Sequence, residues 1–239
     1  MKKITIICLT CMLSISPAFA QYRQDIANTP PDGAINAYRS AAKEYAALYN
    51  GIEQIPYPAH FLNHPYLNTS DFVPGTIRYN DVLYKDIPMR LDLFREELIV
   101  RSTDKPFNIV LAYEKLGYAQ IGESTVLSFY NKTWQNRPPG KYVVLLYENR
   151  HTVLKQYVVS YVERIDPTKV ESSFKIQERY YICKDERMYP VKNKKTLLSV
   201  FPDRAEELGK YIKEHKLKFG KRPGQTIIAL VKQYENLTR

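Results

Sequence analysis

His60 and His64 stand four residues apart, the spacing that on a helix turns two imidazoles toward one metal ion. Pro58 and Pro65 bracket the pair and predict a loop instead, where the rings need not share a face. No Glu follows His60, as a zinc peptidase motif requires. His151 falls at a turn between two strand-like runs and His215 on a helix face, and no G-x-S-x-G sequence supplies either with a nucleophile. The densest carboxylates are Asp86, Asp92, Glu96 and Glu97. Asp86 and Asp92 have the even spacing of one strand face, but strand rise puts them ~20 Å apart, too far to share a proton transfer. They read as polar positions on a solvated face. Cys183 closes the strand-like run Tyr180-Tyr181-Ile182-Cys183 and suits a small buried apolar position, because a reactive thiol needs a neighbouring base and none is local. The nine glycines form neither of the common phosphate-cradling loops. These residues predict no catalytic group, no metal ligand and no cofactor.

The cations carry the stronger lead. The formal net charge is +10, yet residues 192–239 hold twelve Lys and Arg against five Asp and Glu, while residues 21–191 are nearly balanced. Lys192, Lys194, Lys195, Lys210, Lys213, Lys216, Lys218, Lys221 and Arg222 make the closing quarter basic. Clustered cations attract anionic lipid and polymer surfaces in a salt-dependent way. The competing reading is a solvated helical face, partly paired through Glu206 with Lys210 and Glu214 with Lys218. Twenty tyrosines suit half-wet sheet faces, where the ring is buried and the hydroxyl keeps a partner. The candidate binding residues are Lys210, Lys213, Lys216, Lys218, Lys221 and Arg222, with Tyr157 and Tyr161 on the sheet.

The elements that must position these residues follow from periodicity. Lys2 and Lys3, the apolar run Ile4 to Ile15 and the small residues of Pro17-Ala18-Phe19-Ala20 predict a cleavable export signal over residues 1–20. Thr10 before Cys11 and Ile7 before Cys8 argue against a lipidated cysteine. Cleavage near Ala20-Gln21 leaves Cys183 without a disulfide partner, and no later apolar run is long enough for an integral membrane span. Residues 21–51 read as a flexible leader and a short helix over roughly 34–49. Residues 52–191 alternate with period two, as in Ile87 to Leu93, and are punctuated by turns such as Asn80-Asp81 and Arg95-Glu96. The run from His151 to Arg164 is apolar on both faces, which predicts a central strand covered on both sides. Residues 192–239 turn helical, with Asp203 and Glu206 in capping-box spacing and a last stripe through Ile227, Val231, Tyr234 and Leu237. The expected fold is α+β and mainly antiparallel β, a meander or partly closed barrel followed by a basic helical cap packed on the sheet.

The stretch from Gly75 through Asp86-Ile87, with Leu91-Asp92 and Leu98-Ile99-Val100, resembles exported β-rich proteins of Gram-negative bacteria that have a helical C-terminus and no assigned activity. Lys194-Lys195-Thr196-Leu197-Leu198 and Phe201-Pro202-Asp203 are similar to their tails. In architecture alone the pattern also resembles periplasmic carriers of the lipoprotein-carrier kind. The lack of a catalytic constellation, together with the Tyr-rich sheet and the localised basic tail, predicts a non-enzymatic protein of the periplasm or outer-membrane surface, a β-scaffold binding an anionic envelope component or an outer-membrane protein. Export argues against a nucleic-acid partner. The alternative is a periplasmic carrier holding an apolar ligand in a half-barrel cavity.

Overall fold

Period-two segments joined by tight turns build one antiparallel sheet. The structure, a computed structural model, describes residues 33–34, 38, 48–102, 106–130, 132–166, 169–220 and 222–238. The expected export signal, the leader and most of the helix expected over 34–49 lie outside the described residues. Two compact units, Met1–Lys43 and Glu44–Arg239, divide the chain, and every element below belongs to the second. Its strands are β1 (Ile52–Glu53), β2 (Val73–Tyr79), β3 (Val82–Asp92), β4 (Glu97–Arg101), β5 (Asn108–Val110) and β6 (Leu116–Ile121). They continue as β7 (Ser124–Ser128), β8 (Tyr142–Glu148), β9 (Thr152–Asp166), β10 (Lys169–Lys184) and β11 (Arg187–Val191). The sheet order is β1-β5-β4-β3-β2-β6-β7-β8-β9-β10-β11, open at both edges. Three helices follow, α1 (Lys194–Leu198), α2 (Ala205–Glu214) and α3 (Pro223–Leu237). The expected α+β class, antiparallel sheet and closing helices are what the chain forms.

One face of the sheet carries two cores. Ile77, Tyr79, Tyr84, Met89, Leu98, Val100, Ala119, Val126 and Val144 gather from β2 to β8 with no helix among them. Leu48, Tyr49, Leu67 and Leu111, outside the strands, complete that cluster. Along the same face, Val153 and Ile182 take the helices, packing Leu197, Phe201, Leu208, Ile227, Leu230 and Val231. Leu146 touches both clusters. Leu127, Phe129, Val143, Leu154, Tyr181, Cys183 and Met188 form a smaller core on the opposite face.

Three local expectations fail. Asp86 and Asp92 do not share a wet face. Pairing slips between Gly75 and Ile77, and Asp86 sits at φ +57°, a bulge that reverses the alternation of β3. Past the bulge Asp92 has the parity of Pro88 and Arg90, away from Met89 and Leu91 of the core, and it is buried at 0 % exposure by the loop that carries Tyr57 and Tyr66. Asp203 does not cap α2, which starts without a side-chain cap; it accepts the Tyr234 hydroxyl at 3.2 Å instead. The capping box forms one helix earlier, where Asn193 accepts from the Thr196 N–H at 3.0 Å and Thr196 Oγ1 accepts from the Asn193 N–H at 3.1 Å. His215 is exposed at the end of α2 and stacks on Tyr211, so it does not line the packed face.

The cap is pinned to the sheet by a carboxylate. Glu235 of α3 is buried, and its Oε1 accepts the His151 backbone N–H at 2.9 Å and meets His151 Nδ1 at 3.0 Å. Its Oε2 accepts the Tyr147 hydroxyl at 2.7 Å and Asn149 Nδ2 at 3.1 Å. The His151 ring meets Phe201 and Tyr234 edge-on, and Arg150 donates to the Glu235 carbonyl and to Thr238. Burial raises the Glu235 pKa, but the hydrogen bonds from Tyr147 and His151 outweigh it and hold the carboxyl below its ordinary value.

A carboxyl depressed on folding contributes stability in full above the unfolded value of ~4.3 and loses it as pH falls through the folded pKa. Glu235→Gln is therefore expected to lower stability at pH 7 by about 2–4 kcal/mol and to flatten the acid limb of stability against pH. Urea unfolding across pH checks both, and an unchanged acid limb contradicts the assignment. Gly75 is constrained differently, because a Cβ there would stand 2.1 Å from the Gln120 carbonyl oxygen on β6. Gly75→Ala is expected to cost about 1–3 kcal/mol in the same assay.

Candidate binding site

Strand β9 runs fifteen residues, but β8 pairs only with Thr152 to Lys155. The inner half of the β9–β10 hairpin is covered on both faces, as the sequence predicts. The outer half is not, and Tyr161, Val162, Ile165 and Val170 are exposed. A loop supports this outer half from one side. Leu62 donates its N–H to the Ser172 carbonyl at 2.8 Å, and the Asn63 amide bonds both backbone groups of Phe174, at 2.7 and 2.9 Å. Tyr57, Phe61, Phe94 and Tyr161 collect around Phe174.

Between that aromatic junction and the helical cap, the helix-bearing face of the hairpin is polar. Tyr157 pairs with Glu178 and Lys155 with Tyr180 in the ladder, which places all four side chains on one face. Lys155 Nζ meets Glu178 Oε1 at 3.1 Å and lies 4.6 Å from the Tyr157 ring centroid. The Tyr180 hydroxyl donates to the other Glu178 oxygen. Burial opposes the charge on Lys155, but Tyr157 and Glu178 outweigh it and raise its pKa. Burial likewise opposes the Glu178 charge, while Tyr180 and Lys155 hold that carboxyl below the ordinary range. Burial, then Glu178, pushes the Tyr180 phenol upward. Lys155, Glu178 and Tyr180 are thus each held in the usual protonation state at neutral pH, which suits recognition better than proton transfer.

Two spaces adjoin this network. A surface cleft of about 550 Å³ opens between β10, β11 and the cap, lined by Glu178, Arg179, Tyr180, Lys192, Phe219 and Pro223 among others. On the other side, the gap among Asp92, Glu96, Tyr142 and Tyr157 holds about 10 Å³, roughly the room of one water molecule. Gly224 packs under the cleft, where a Cβ would stand 3.1 Å from Tyr180 Cε1.

The structure divides the sequence candidates. Tyr157 belongs to the polar network, and Tyr161 lies farther out on the same face, against Phe94. Lys216 and Lys218 are exposed in the loop after α2, and Arg222 is exposed at the start of α3, flanking the cleft residues Phe219 and Pro223. Lys221 lies outside the described residues. Lys213 is exposed on α2, and Lys210 pairs with Glu206 at 2.9 Å, the solvated pairing foreseen for it. Lys218 lies beyond the end of α2, so helical spacing no longer relates it to Glu214. Lys155, Glu178, Arg179 and Tyr180 were missed. Their signal is cross-strand register, which a single strand's sequence does not display.

A second buried polar group lies under the loop. Asp92 Oδ1 accepts the N–H groups of Phe94 and Arg95, each at 2.9 Å, and shapes the β3–β4 turn. Its Oδ2, Tyr57 Oη, Arg90 Nε and Ser172 Oγ have no hydrogen-bond partner among the described residues. Burial, then Asp92, raises the Tyr57 pKa. His60 stacks on Phe61, and His64 Nδ1 accepts the Tyr66 N–H at 3.3 Å. Among the described residues no three His, Cys, Asp or Glu side chains gather as a metal site.

Comparison with protein-family models, with curated proteins and with solved structures found no match. Among the described residues no helix is long and apolar enough to cross a membrane.

Cys183 is buried in the opposite-face core, where burial first, and Glu186 and Asp185 next, push its thiol up to about 11. It is expected to resist alkylation at pH 7.5 in the folded chain and to react once urea unfolds it. Rapid labelling of the folded protein contradicts this placement.

Proposed function

We propose that the chain is a non-enzymatic, exported envelope protein that binds an anionic envelope component in the cleft between the hairpin and the helical cap. The observation that carries this reading is the composition of that cleft. Tyr180 and Phe219 offer aromatic surface and Lys192 brings a cation to the same space, while Arg179 lines the rim from the opposite face of β10, beside Tyr181. Exposed Lys216, Lys218 and Arg222 extend the positive charge along its flank. Aromatic surface with guanidinium and ammonium groups suits a phosphate-bearing glycolipid or acidic polymer, because stacking and charge-assisted hydrogen bonds act together.

The carrier alternative has less support. An enclosed ligand needs roughly 300 Å³ or more, and the gap beside Tyr142 and Tyr157 offers about 10 Å³. A periplasmic or outer-membrane address rests on the Lys2-Lys3 signal pattern over residues 1–20.

Cutting off the basic quarter is a poor test of this reading, since Val153 and Ile182 pack directly on helix residues. Point substitutions serve better. Binding of the full chain to lipopolysaccharide, and to phosphatidylcholine vesicles with and without phosphatidylglycerol, is expected to weaken with salt. Lys192→Ala with Arg222→Ala is expected to reduce affinity about tenfold while far-ultraviolet dichroism stays unchanged. Binding that ignores both salt and the substitutions contradicts the proposal.

A further inference from the structure

Past Lys155, the last residue of β9 beside β8, the outer edge of β9 has no strand next to it among the described residues. In an antiparallel ladder alternate residues turn both backbone groups to opposite sides. From Tyr157 to Ile165, about four residues therefore point an N–H and a C=O away from β10. Natural sheets guard such edges with prolines, bulges, charges or a covering loop. The hairpin's other edge is guarded, because Leu62 and Asn63 cover Ser172 and Phe174 of β10. Among the described residues the β9 edge from Tyr157 to Val162 has none of these devices. It contains no proline, its register with β10 is unbroken from Thr152 to Asp166, and its charges begin at Glu163. Its side chains are apolar on both faces, with Tyr161 50 %, Val162 52 % and Ile165 78 % exposed.

We propose that this edge pairs antiparallel with the same edge of a second copy of the chain, across a two-fold axis near Tyr161. The strand is self-complementary in that arrangement. With the axis at Tyr161, Tyr161 faces its own copy, Tyr157 faces Ile165, Val159 faces Glu163 and Ser160 faces Val162. Glu163 and Arg164 are the only charged residues between Tyr157 and Ile165, and neither faces a like charge. Moving the axis to Ser160 sets Val158 against Val162, and moving it to Val162 sets that residue against itself, again without like charges opposed. Isologous two-fold pairing uses one patch twice, as most homodimers do. The joined edge satisfies the outward backbone groups and covers the exposed apolar side chains in one step. It does not use the cleft between β10 and the cap.

Disulfide trapping tests the pairing. Cys8→Ser and Cys11→Ser leave only Cys183, which is buried. Single cysteines then replace Ser160, Tyr161 or Val162, with Ile55→Cys as the exposed control on the loop. Directly opposed residues stand ~4.5–5.5 Å apart at Cα, within disulfide range. At one of the three positions, mild oxidation is expected to give covalent dimer faster than the control by on the order of tenfold or more. Sedimentation of the chain without added cysteines is expected to show a concentration-dependent dimer that resists salt and that Val162→Lys weakens about tenfold. Salt resistance separates this association from anionic-ligand binding, so either can fail without the other. Trapping no faster than the control at all three positions overturns the pairing, as does a monomer at every concentration.

Discussion

Strand β9 is fifteen residues long and β8, which covers its outer edge, is seven. That mismatch organises the molecule. Where the two strands overlap, β9 is buried between the helical cap on one face and the small core of Leu154, Tyr181 and Cys183 on the other. Beyond the overlap the hairpin becomes a single layer, kept in place by the 57–66 loop and the β3–β4 turn. The polar network of Lys155, Tyr157, Glu178 and Tyr180 sits at this change from double to single cover. Charged groups at such a boundary keep partial access to water and escape the full desolvation cost.

The helical cap turns this boundary into a cleft. Its seat is set at one end by Glu235, which draws together His151, Tyr147 and Asn149 from the β8–β9 turn. Apolar stripes on α2 and α3 do the rest, filling the space over Val153 and Ile182. The basic surface is thus the outer side of a packed element. Its cations accompany helices that the sheet needs for stability, so charge and scaffold are carried by the same residues 192–239.

The class of the fold was legible because period two and period 3.6 occupy separate parts of the chain. The Asn80-Asp81 and Arg95-Glu96 turns, the two-sided inner half of β9 and the apolar stripe of α3 all follow from local pattern. What escaped reading depends on distant residues. Asp92 looked solvent-facing because the loop that covers it, with Tyr57 and Tyr66, lies some thirty positions away in the chain. The exposed outer half of β9 looked central because a strand's sequence does not say where its neighbour stops. Glu235 looked like one more polar residue of a basic helix, although its partners lie more than eighty positions earlier. Of the binding candidates, the loop cations could be read from charge alone, while Lys155 and Glu178 needed the register of β9 against β10.

Amide hydrogen exchange of the intact chain, with and without saturating lipopolysaccharide, tests the proposed recognition most directly. Protection is expected at Phe219 and in the cleft-lining segments 178–181 and 190–192, where Tyr180 and Lys192 lie. Protection absent from all of these positions, or confined to the outer edge of β9, would contradict it.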